Sequence, residues 1–124
     1  MHYRGEYAEL VAASWLRAHG AKVLRRNFRY GNSGEVDIVC READTLVFIE
    51  VKSTIHPEHG TPSRAVNRRK RRLLRRGARN WLRLLGYAVP IRFDIIEVIL
   101  RTDAAPIVTR RKAAFTLHEG ATHV

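Results

Sequence analysis

The stretch GEVDIVCREADTLVFIEVKST, residues 34–54, decides the fold of this chain. Two apolar runs typical of strands, Glu35–Cys40 and Leu46–Lys52, are separated by READT, a connection of small and polar residues. This spacing predicts an antiparallel β-hairpin. Three charged side chains interrupt the apolar runs: Asp37, Glu50 and Lys52. The hairpin therefore raises the question of what these charges do.

The predicted register brings two of these charges together. Side chains alternate along a strand, so Glu50 and Lys52 are expected on one face of the second strand. A loop centred between Ala43 and Asp44 places Asp37 directly opposite Glu50. Opposed side chains have Cβ atoms roughly 4.5–5.5 Å apart, and two like charges so close destabilise a sheet unless a cation lies between them. Lys52 is one candidate for that cation, and a divalent metal ion is the other.

The sequence leaves two interpretations of the charged hairpin open. Paired carboxylates near a backbone carbonyl form an oxygen environment in which Mg²⁺ or Mn²⁺ binds while keeping water ligands. Such a metal can polarise a phosphoryl oxygen, and an adjacent lysine can orient the attacking water. The alternative is an ordinary surface salt bridge between Glu50 and Lys52, with Asp37 as an edge charge. The spacing alone does not distinguish them.

A helix precedes the strands. Apolar residues recur at helical spacing between Glu6 and His19, and Gly20 marks the end of the helix. The predicted apolar stripe consists of Tyr7, Leu10, Val11, Trp15 and Ala18. We expect this stripe to face the core.

The other elements complete an αβββαβ order. A strand at Lys22–Tyr30 precedes the hairpin, a long helix ends near Leu85, and Ile91–Leu100 forms the last strand. A helix that connects two neighbouring strands implies that they pair in parallel. The predicted fold is an α/β domain with a mixed four-stranded sheet, three strands antiparallel and one added in parallel.

Length and composition bound the class of protein. A chain of 124 residues predicts one domain, with a core at about 5–100 and a C-terminal extension at 101–124. Within that extension, AAFTL is the segment best suited to docking on the core. The chain lacks a secretory pattern, a partner for Cys40 and an apolar run of the roughly 18 residues that span a bilayer. We expect a cytoplasmic protein that is not embedded in a membrane. The sequence is compatible with a homodimer.

The net charge of +11 is concentrated in one segment. Between Glu58 and Asp94 there is no acidic residue, and most of the cations there are arginines in the long helix. A guanidinium group binds phosphate through two hydrogen bonds, so the helix is expected to grip the backbone of DNA or structured RNA. The alternative is a helix whose charges are merely solvated. The residues predicted to bind nucleic acid are Arg64, Arg68, Arg69, Lys70, Arg72, Arg75, Arg76 and Arg79.

The arrangement of Asp37, Glu50 and Lys52 in an αβββαβ chain resembles the PD-(D/E)xK nuclease superfamily. A closer resemblance is to the YraN family of small bacterial proteins. The shared patterns are GEYAE, RRNFR, GEVDIV, LVFIEVK, the AV and later K of the long helix, and RFDIIEV. Together they cover about residues 5–99.

This resemblance implies a restriction-endonuclease-like core and roles for four residues. Asp37 and Glu50 would be ligands of Mg²⁺ or Mn²⁺, and Lys52 would be the catalytic lysine. Glu9 matches the helix glutamate that archaeal Holliday-junction resolvases and their relatives bring to the same site, as a further metal ligand and catalytic residue. On a helical wheel Glu9 lies opposite the predicted apolar stripe, so a solvated glutamate is the alternative.

The charged hairpin, the basic helix and the resemblance suggest three possible functions. The first is a divalent-metal-dependent nuclease, or nuclease-like protein, that hydrolyses phosphodiester bonds. The second is a nucleic-acid-binding module that retains the nuclease fold without cleaving. The third, a module for anionic membranes or proteins, explains the basic helix but leaves the charged hairpin unexplained. The four acidic and basic positions of the hairpin and first helix favour the nuclease.

Overall fold

The computed structural model describes residues 3–31, 34–55 and 64–117, with the backbone alone for 3, 4 and 64–67. These residues form two helices and five strands. In chain order the elements are α1 (Tyr3–Ala18), β1 (Lys22–Arg29), β2 (Glu35–Glu42), β3 (Thr45–Thr54), α2 (Arg64–Leu85), β4 (Ile91–Ile99) and β5 (Ile107–Phe115). Neither helix is long and apolar enough, over the part described, to cross a membrane.

The strands form one mixed sheet in the order β1-β2-β3-β4-β5. The β3–β4 pair is parallel, as the connection through α2 predicts, and the other pairs are antiparallel. The prediction of four strands is wrong, because the segment assigned to the C-terminal extension contributes β5 beside β4. Cations follow one another at Arg110, Arg111 and Lys112, so this edge strand lacks the apolar pattern by which strands are recognised.

The hairpin has the predicted register. Its strands are longer than expected, so the loop is reduced to Ala43 and Asp44 between the paired residues Glu42 and Thr45. Ala43 takes a left-handed backbone conformation with φ of 54°, as tight two-residue hairpin loops require. The centre of the hairpin therefore lies where the sequence predicted it.

The two helices cover opposite faces of the sheet. On β3, Val47 and Ile49 pack into a core cluster with α1, whereas Leu46 and Phe48 pack into a second cluster with α2. This alternation continues the pattern of a strand that is buried on both faces. By the same alternation, Glu50 belongs to the α2 face.

The face that α1 buries differs in part from the prediction, since Val11 and Trp15 of the predicted stripe pack against the core but its other residues do not. Its buried residues are Ala8, Ala12, Ala13 and Leu16, whereas Tyr7 is 52% exposed and Leu10 is 45% exposed. The predicted stripe favoured large apolar side chains, but alanines allow the helix to lie close to the sheet. Glu9 precedes Ala12 and Ala13 by three and four residues, so it borders the buried face instead of lying opposite to it.

The helix α2 approaches β2 at two glycines. A Cβ atom on Gly34 would lie 2.4 Å from the backbone nitrogen of Gly77, and one on Gly77 would lie 2.7 Å from Cγ2 of Val36. Both distances are shorter than side-chain carbons tolerate. Glycine is therefore needed on each side of this contact, which fixes α2 against the strand that carries Asp37.

The C-terminal segment docks on the core, as predicted for AAFTL, and it also contacts α2. Phe115 and Leu117 pack against the core cluster on the α2 face. Arg75 donates a hydrogen bond to the carbonyl of Thr116 and Arg79 donates one to the carbonyl of Leu117, both at 2.9 Å. Part of the basic helix is thus used to hold the end of the sheet.

A network of four charged side chains joins β2, β4 and β5. Asp94 is fully buried and accepts hydrogen bonds from Arg92 at 2.8 Å and from Arg110 at 2.9 Å. Arg110 also donates to both carboxylate oxygens of Glu42 at 2.7 Å. These hydrogen bonds satisfy the buried charges and tie the hairpin to the edge strand.

Candidate active site

The site begins where β2 and β3 separate. Their ladder includes the pair Ile38–Ile49, and Asp37 and Glu50 occupy the next positions beyond it. At this point the carboxylate of Asp37 accepts the N–H of Val51 at 2.8 Å. The Asp37 side chain, which is 13% exposed, therefore satisfies a backbone donor of β3 at the point where the β2–β3 ladder ends. Burial raises the pKa of Asp37 although Lys70 and the Val51 N–H lower it.

Glu50 is the second acid that β3 brings to the site. It is 4% exposed, and its Oε1 atom is buried without a hydrogen-bond partner among the described residues. Burial raises the pKa of Glu50 despite the opposing charge of Lys52, and Asp37 raises it further. A buried carboxylate oxygen without a partner is costly unless a proton or a cation meets it. Glu50 therefore presents a buried carboxylate oxygen that could accept a proton or a cation.

Lys52 is half-buried on the same strand, and its charge acts on Glu50. Burial lowers the pKa of Lys52, the charge of Glu50 opposes that effect, and the nearby Arg71 and Arg111 reinforce it. A lysine in such surroundings gives up a proton more readily than an exposed one. Its position beside Glu50 agrees with the predicted register and makes it available to a reacting group there.

Glu9 reaches the site from α1, although periodicity predicted it to be solvated. Its side chain is 15% exposed, and its carboxylate lies 3.5 Å from Nη1 of Arg26. Burial and the charge of Asp37 raise the pKa of Glu9 to about 6, although Arg26 and Lys70 lower it. The assignment of Glu9 from the resemblance therefore agrees with its location within electrostatic range of Asp37.

The cation beside Asp37 is Lys70, which the sequence assigned only to nucleic-acid binding. Its Nζ atom lies 3.5 Å from Asp37 and 3.8 Å from Glu35. Desolvation lowers the pKa of Lys70, but these carboxylates and Glu50 together raise it above its ordinary value. One signal could have revealed this position: Lys70 precedes the buried Leu74 by one helical turn, so it extends the buried stripe of α2.

An open cleft of about 780 Å³ lies against these groups. Glu9, Asp37 and Lys70 line it, while Glu50 and Lys52 are not among the described residues on its surface. The sequence did not assign a role to β1, yet that strand contributes a basic wall of Arg25, Arg26 and Arg29 to the cleft. Alternation along a regular strand would divide these arginines between two faces. A register shift before Arg25 and a left-handed residue at Asn27, with φ of 54°, interrupt that alternation.

The carboxylates of the site bear on which metal ion it could hold. No three His, Cys, Asp or Glu side chains within the described ranges lie so that they could hold a metal ion together. Mg²⁺ is commonly bound through one or two carboxylates, with water and substrate phosphates as the other ligands. The hard oxygens of Asp37 and Glu50, with the unpartnered Oε1 of Glu50, fit a site of that kind. They do not form a closed protein cage.

The basic residues of α2 divide into several groups. Arg68, Arg69, Arg72, Arg76 and Arg79 are exposed, and Lys70 lies in the cleft. Arg75 is 8% exposed, with its guanidinium 5.2 Å from the ring of Phe115, so its side chain is used within the fold. Arg64 begins the helix, and its side chain lies outside the part that the structure describes. Only some of the predicted phosphate-binding residues therefore present an exposed guanidinium.

Comparison with known proteins gives a family but no activity. The model of the uncharacterised protein family UPF0102 matches residues 8–98. A UPF0102 protein of Streptomyces coelicolor is 42% identical over 106 residues, which is 84% of this chain and 82% of that protein. A UPF0102 protein of Beutenbergia cavernae is 45% identical over 101 residues, which is 81% of this chain and 84% of the relative. A third, from Geotalea uraniireducens, is 35% identical over 114 residues, covering 91% and 89% of the two chains.

Proposed function

The chain belongs to the uncharacterised protein family UPF0102, and we propose that it is a divalent-metal-dependent nuclease of the PD-(D/E)xK type. Its substrate would be DNA or structured RNA. The observation that carries this proposal is the buried Oε1 atom of Glu50, which has no hydrogen-bond partner among the described residues and lies within electrostatic range of Asp37.

Asp37 and Glu50 are the residues that would hold Mg²⁺ or Mn²⁺, and Glu9 borders them. A bound divalent ion polarises a phosphoryl oxygen and makes water a stronger nucleophile. Asp37 is held in place by the Val51 N–H, so its carboxylate is oriented before any ligand arrives. This preorganisation supports a catalytic site because its geometry does not have to be assembled at the moment of reaction.

Lys52 would act beside these acids on the substrate. Burial lowers the pKa of its ammonium group, so the neutral amine could orient an attacking water and take its proton, whereas the charged form would stabilise negative charge on the phosphate. The basic wall of the cleft, which consists of Arg25, Arg26 and Arg29, would bind the phosphates on one side. On the other side the phosphates would be bound by exposed arginines of α2 that precede its C-terminal turns, namely Arg68, Arg69, Arg72 and Arg76. Affinity would thus come from backbone contacts and not from reading of bases.

A nucleic-acid-binding module that does not cleave is the second candidate. The observation that favours it is the arrangement of the acids, since the described residues include no metal-binding group of three and Lys70 lies 3.5 Å from Asp37. In such a module the lysine would neutralise the acid permanently. The two candidates share a binding surface and differ in whether a metal ion acts on the bound phosphate.

A cleavage screen separates the two candidates. Labelled duplex, flapped, branched and single-stranded DNA and RNA would be incubated with Mg²⁺ or Mn²⁺ and with the wild type, Asp37→Asn or Asp103→Asn. Asp103 is exposed and far from the site in sequence, so its variant is the matched control. We expect cleavage by the wild type and the control alone. Equal cleavage by Asp37→Asn would identify a contaminating nuclease and refute the assignment, and binding without cleavage would favour the second candidate.

A further inference from the structure

Three carboxylates on the cleft surface, those of Glu9, Glu35 and Asp37, are paired with basic side chains of the same cleft. These pairs connect three different elements to the region around Asp37. Each basic side chain belongs to β1 or to α2. Each is an arginine or a lysine, which also binds phosphate groups. The pairs are Arg26 with Glu9 at 3.5 Å, Arg29 with Glu35 at 3.3 Å, and Lys70 with Asp37 at 3.5 Å and Glu35 at 3.8 Å.

These pairs are loose compared with the structural network of the same protein. The contacts of Asp94 with Arg92 and Arg110 measure 2.8 and 2.7 Å, and Asp94 is fully buried. In the cleft, by contrast, the Arg29 side chain is 64% exposed and that of Lys70 is 30% exposed. Long side chains in solvent exchange partners readily, whereas buried bidentate pairs do not. The cleft pairs are therefore open to replacement by stronger ligands.

We propose that a divalent metal ion and a nucleic-acid backbone exchange places with these internal pairs, so that the two ligands bind the cleft cooperatively. The inference rests on the proposed function, since it needs a metal site at Asp37. A metal that takes the carboxylate of Asp37 releases the ammonium group of Lys70 to a phosphate. In the same way, Arg26 is released from Glu9. The metal ion takes the carboxylate that would otherwise hold Lys70, and the phosphate takes the lysine that would otherwise hold the carboxylate. Lys70 is thus the positioning residue that links the binding of the two ligands.

Thermodynamic linkage makes this exchange measurable from both sides. If metal raises the affinity for nucleic acid by some factor, nucleic acid raises the affinity for metal by the same factor. Simple ionic screening acts in the opposite direction, because divalent ions compete with protein cations for the phosphates. The sign of the metal effect on DNA binding therefore separates charge exchange from screening.

The experiment uses the full chain, Ca²⁺ as the metal and a fluorescein-labelled DNA duplex as the polyanion. Ca²⁺ takes the same oxygen ligands as Mg²⁺ with a less rigid geometry. Anisotropy gives the DNA affinity in chelator and in saturating Ca²⁺ at constant ionic strength, and calorimetry gives the Ca²⁺ affinity with and without DNA. In the wild type we expect Ca²⁺ to strengthen DNA binding by about tenfold, within the usual range of allosteric coupling.

Lys70→Gln is the diagnostic variant. This variant removes the ammonium group that competes with the metal for Asp37, so we expect Ca²⁺ to bind more tightly in the absence of DNA. The factor by which Ca²⁺ strengthens DNA binding should fall towards one. Arg26→Gln should reduce the coupling in the same direction. The matched control is Arg83→Gln, which removes an exposed cation from the same helix and should leave the coupling at its wild-type value. Circular dichroism would confirm that each variant is folded.

The possible outcomes separate this inference from the proposed function. If Ca²⁺ binds in an Asp37-dependent manner but weakens DNA binding, or if Lys70→Gln keeps the full coupling, charge exchange is refuted while the metal site stands. If Ca²⁺ binding is absent, or is the same in Asp37→Asn, the metal site itself is refuted and the exchange with it. Tenfold coupling that is lost in Lys70→Gln and kept in Arg83→Gln would support the exchange.

Discussion

Asp37 combines opposing interactions in one side chain. The N–H of Val51 and the ammonium group of Lys70 favour its ionised form, whereas its burial and the charge of Glu35 disfavour that form. Burial has the largest effect, so the pKa of Asp37 is raised. Ionisation of Asp37 in the metal-free protein therefore costs more free energy in the folded than in the unfolded state. The stability of an Asp37 variant should reveal this cost.

We expect Asp37→Asn to raise the melting temperature of the metal-free protein. The amide oxygen can still accept the Val51 N–H, while the unfavourable buried charge is removed. The gain should be on the order of 1 kcal/mol, which corresponds to roughly 3–6 °C for a domain of this size. Thermal melts followed by circular dichroism in a chelator-treated buffer would measure it.

The same melts in millimolar Mg²⁺ or Mn²⁺ provide the control. A ligand that binds only the folded state stabilises it, so the wild type should gain stability and Asp37→Asn should show no response. An ordinary surface salt bridge predicts the reverse pattern, with no metal effect and a loss of about 0–1 kcal/mol on removal of one partner. A wild type indifferent to metal, together with a variant that melts lower, would rule out the metal site.

At the scale of elements, the charged network of Glu42, Arg92, Asp94 and Arg110 joins the hairpin to the edge strand. Hydrogen bonds from Arg110 and Arg92 lower the pKa of Glu42 from its ordinary 4.5 to about 2. For Asp94, burial opposes ionisation, but hydrogen bonds from Arg92, the Ala113 N–H and Arg110 outweigh it and lower the pKa. Both carboxylates therefore bind protons less readily in the folded than in the unfolded state.

The pH dependence of stability follows from these directions. The contribution of Glu42 is fully present above pH 4.5 and is lost as the pH falls towards about 2, because the unfolded state then binds the proton first. Glu9 acts in the opposite sense, since its pKa is raised to about 6. Urea unfolding of the wild type and of Glu42→Gln, from acidic to neutral pH, measures the contribution of the charged network to the free energy of unfolding. We expect the difference between them to be largest at neutral pH and to narrow in acid; a constant difference would contradict the assignment.

The contact of α2 with β2 makes a further prediction at this scale. Alanine normally stabilises a helix by about 1 kcal/mol relative to glycine. At Gly77, however, the new Cβ would lie 2.7 Å from Cγ2 of Val36 and 3.1 Å from the backbone of Glu35. We expect Gly77→Ala to destabilise the protein by about 1–3 kcal/mol, as overpacking does. The midpoint of urea unfolding would measure the loss.

The neighbouring Arg76→Ala is the control for this variant. Arg76 is exposed on the same helix, and its replacement keeps the Cβ atom, so a change within about 0.5 kcal/mol is expected. If Gly77→Ala were as stable as the wild type, the close approach of α2 to β2 would be wrong. The position of Lys70 in the cleft depends on that approach, because the same helix carries both residues.

For the whole molecule, the positive charge is divided between folding and surface. Arg75 and Arg79 hold carbonyls of the C-terminal segment, whereas Arg68, Arg69 and Arg76 are exposed on α2. Neutralisation of several phosphates releases counterions, so nucleic-acid binding should weaken steeply with salt. The exposed arginines should govern this dependence, while the buried Arg75 should govern stability.

Replacing Arg68, Arg69 and Arg76 together by glutamine should weaken binding of all sequences to a similar extent. The slope of log affinity against log salt should become less steep by about 2–3, since each lost phosphate contact accounts for about 0.9 on duplex DNA. Anisotropy titrations between about 50 and 200 mM salt would measure it. Arg75→Gln should instead lower stability and leave the slope unchanged. An unchanged slope in the triple variant would show that α2 is not the phosphate-binding surface.

The sequence by itself determined the hairpin, its register and the parallel addition of β4. Each depends on local features: alternation along a strand, turn residues at Ala43 and Asp44, and a helix between two strands. It also identified Asp37, Glu50 and Lys52 as candidate site residues, because charges inside apolar runs stand out. Such patterns are visible in the order of residues along the chain, so they can be recognised without knowing which residues pack against them.

Only the tertiary structure decided which surfaces meet. Periodicity placed Glu9 opposite the buried stripe of α1, yet the helix buries its alanines and brings Glu9 beside the cleft. Lys70 lies in the same run of cations as the arginines around it, but α2 packs so that it contacts Asp37. The edge strand β5 was missed because its pairing with β4, and not its own apolar pattern, holds it in the sheet. These outcomes depend on contacts between residues distant in the chain, and local sequence does not encode such contacts.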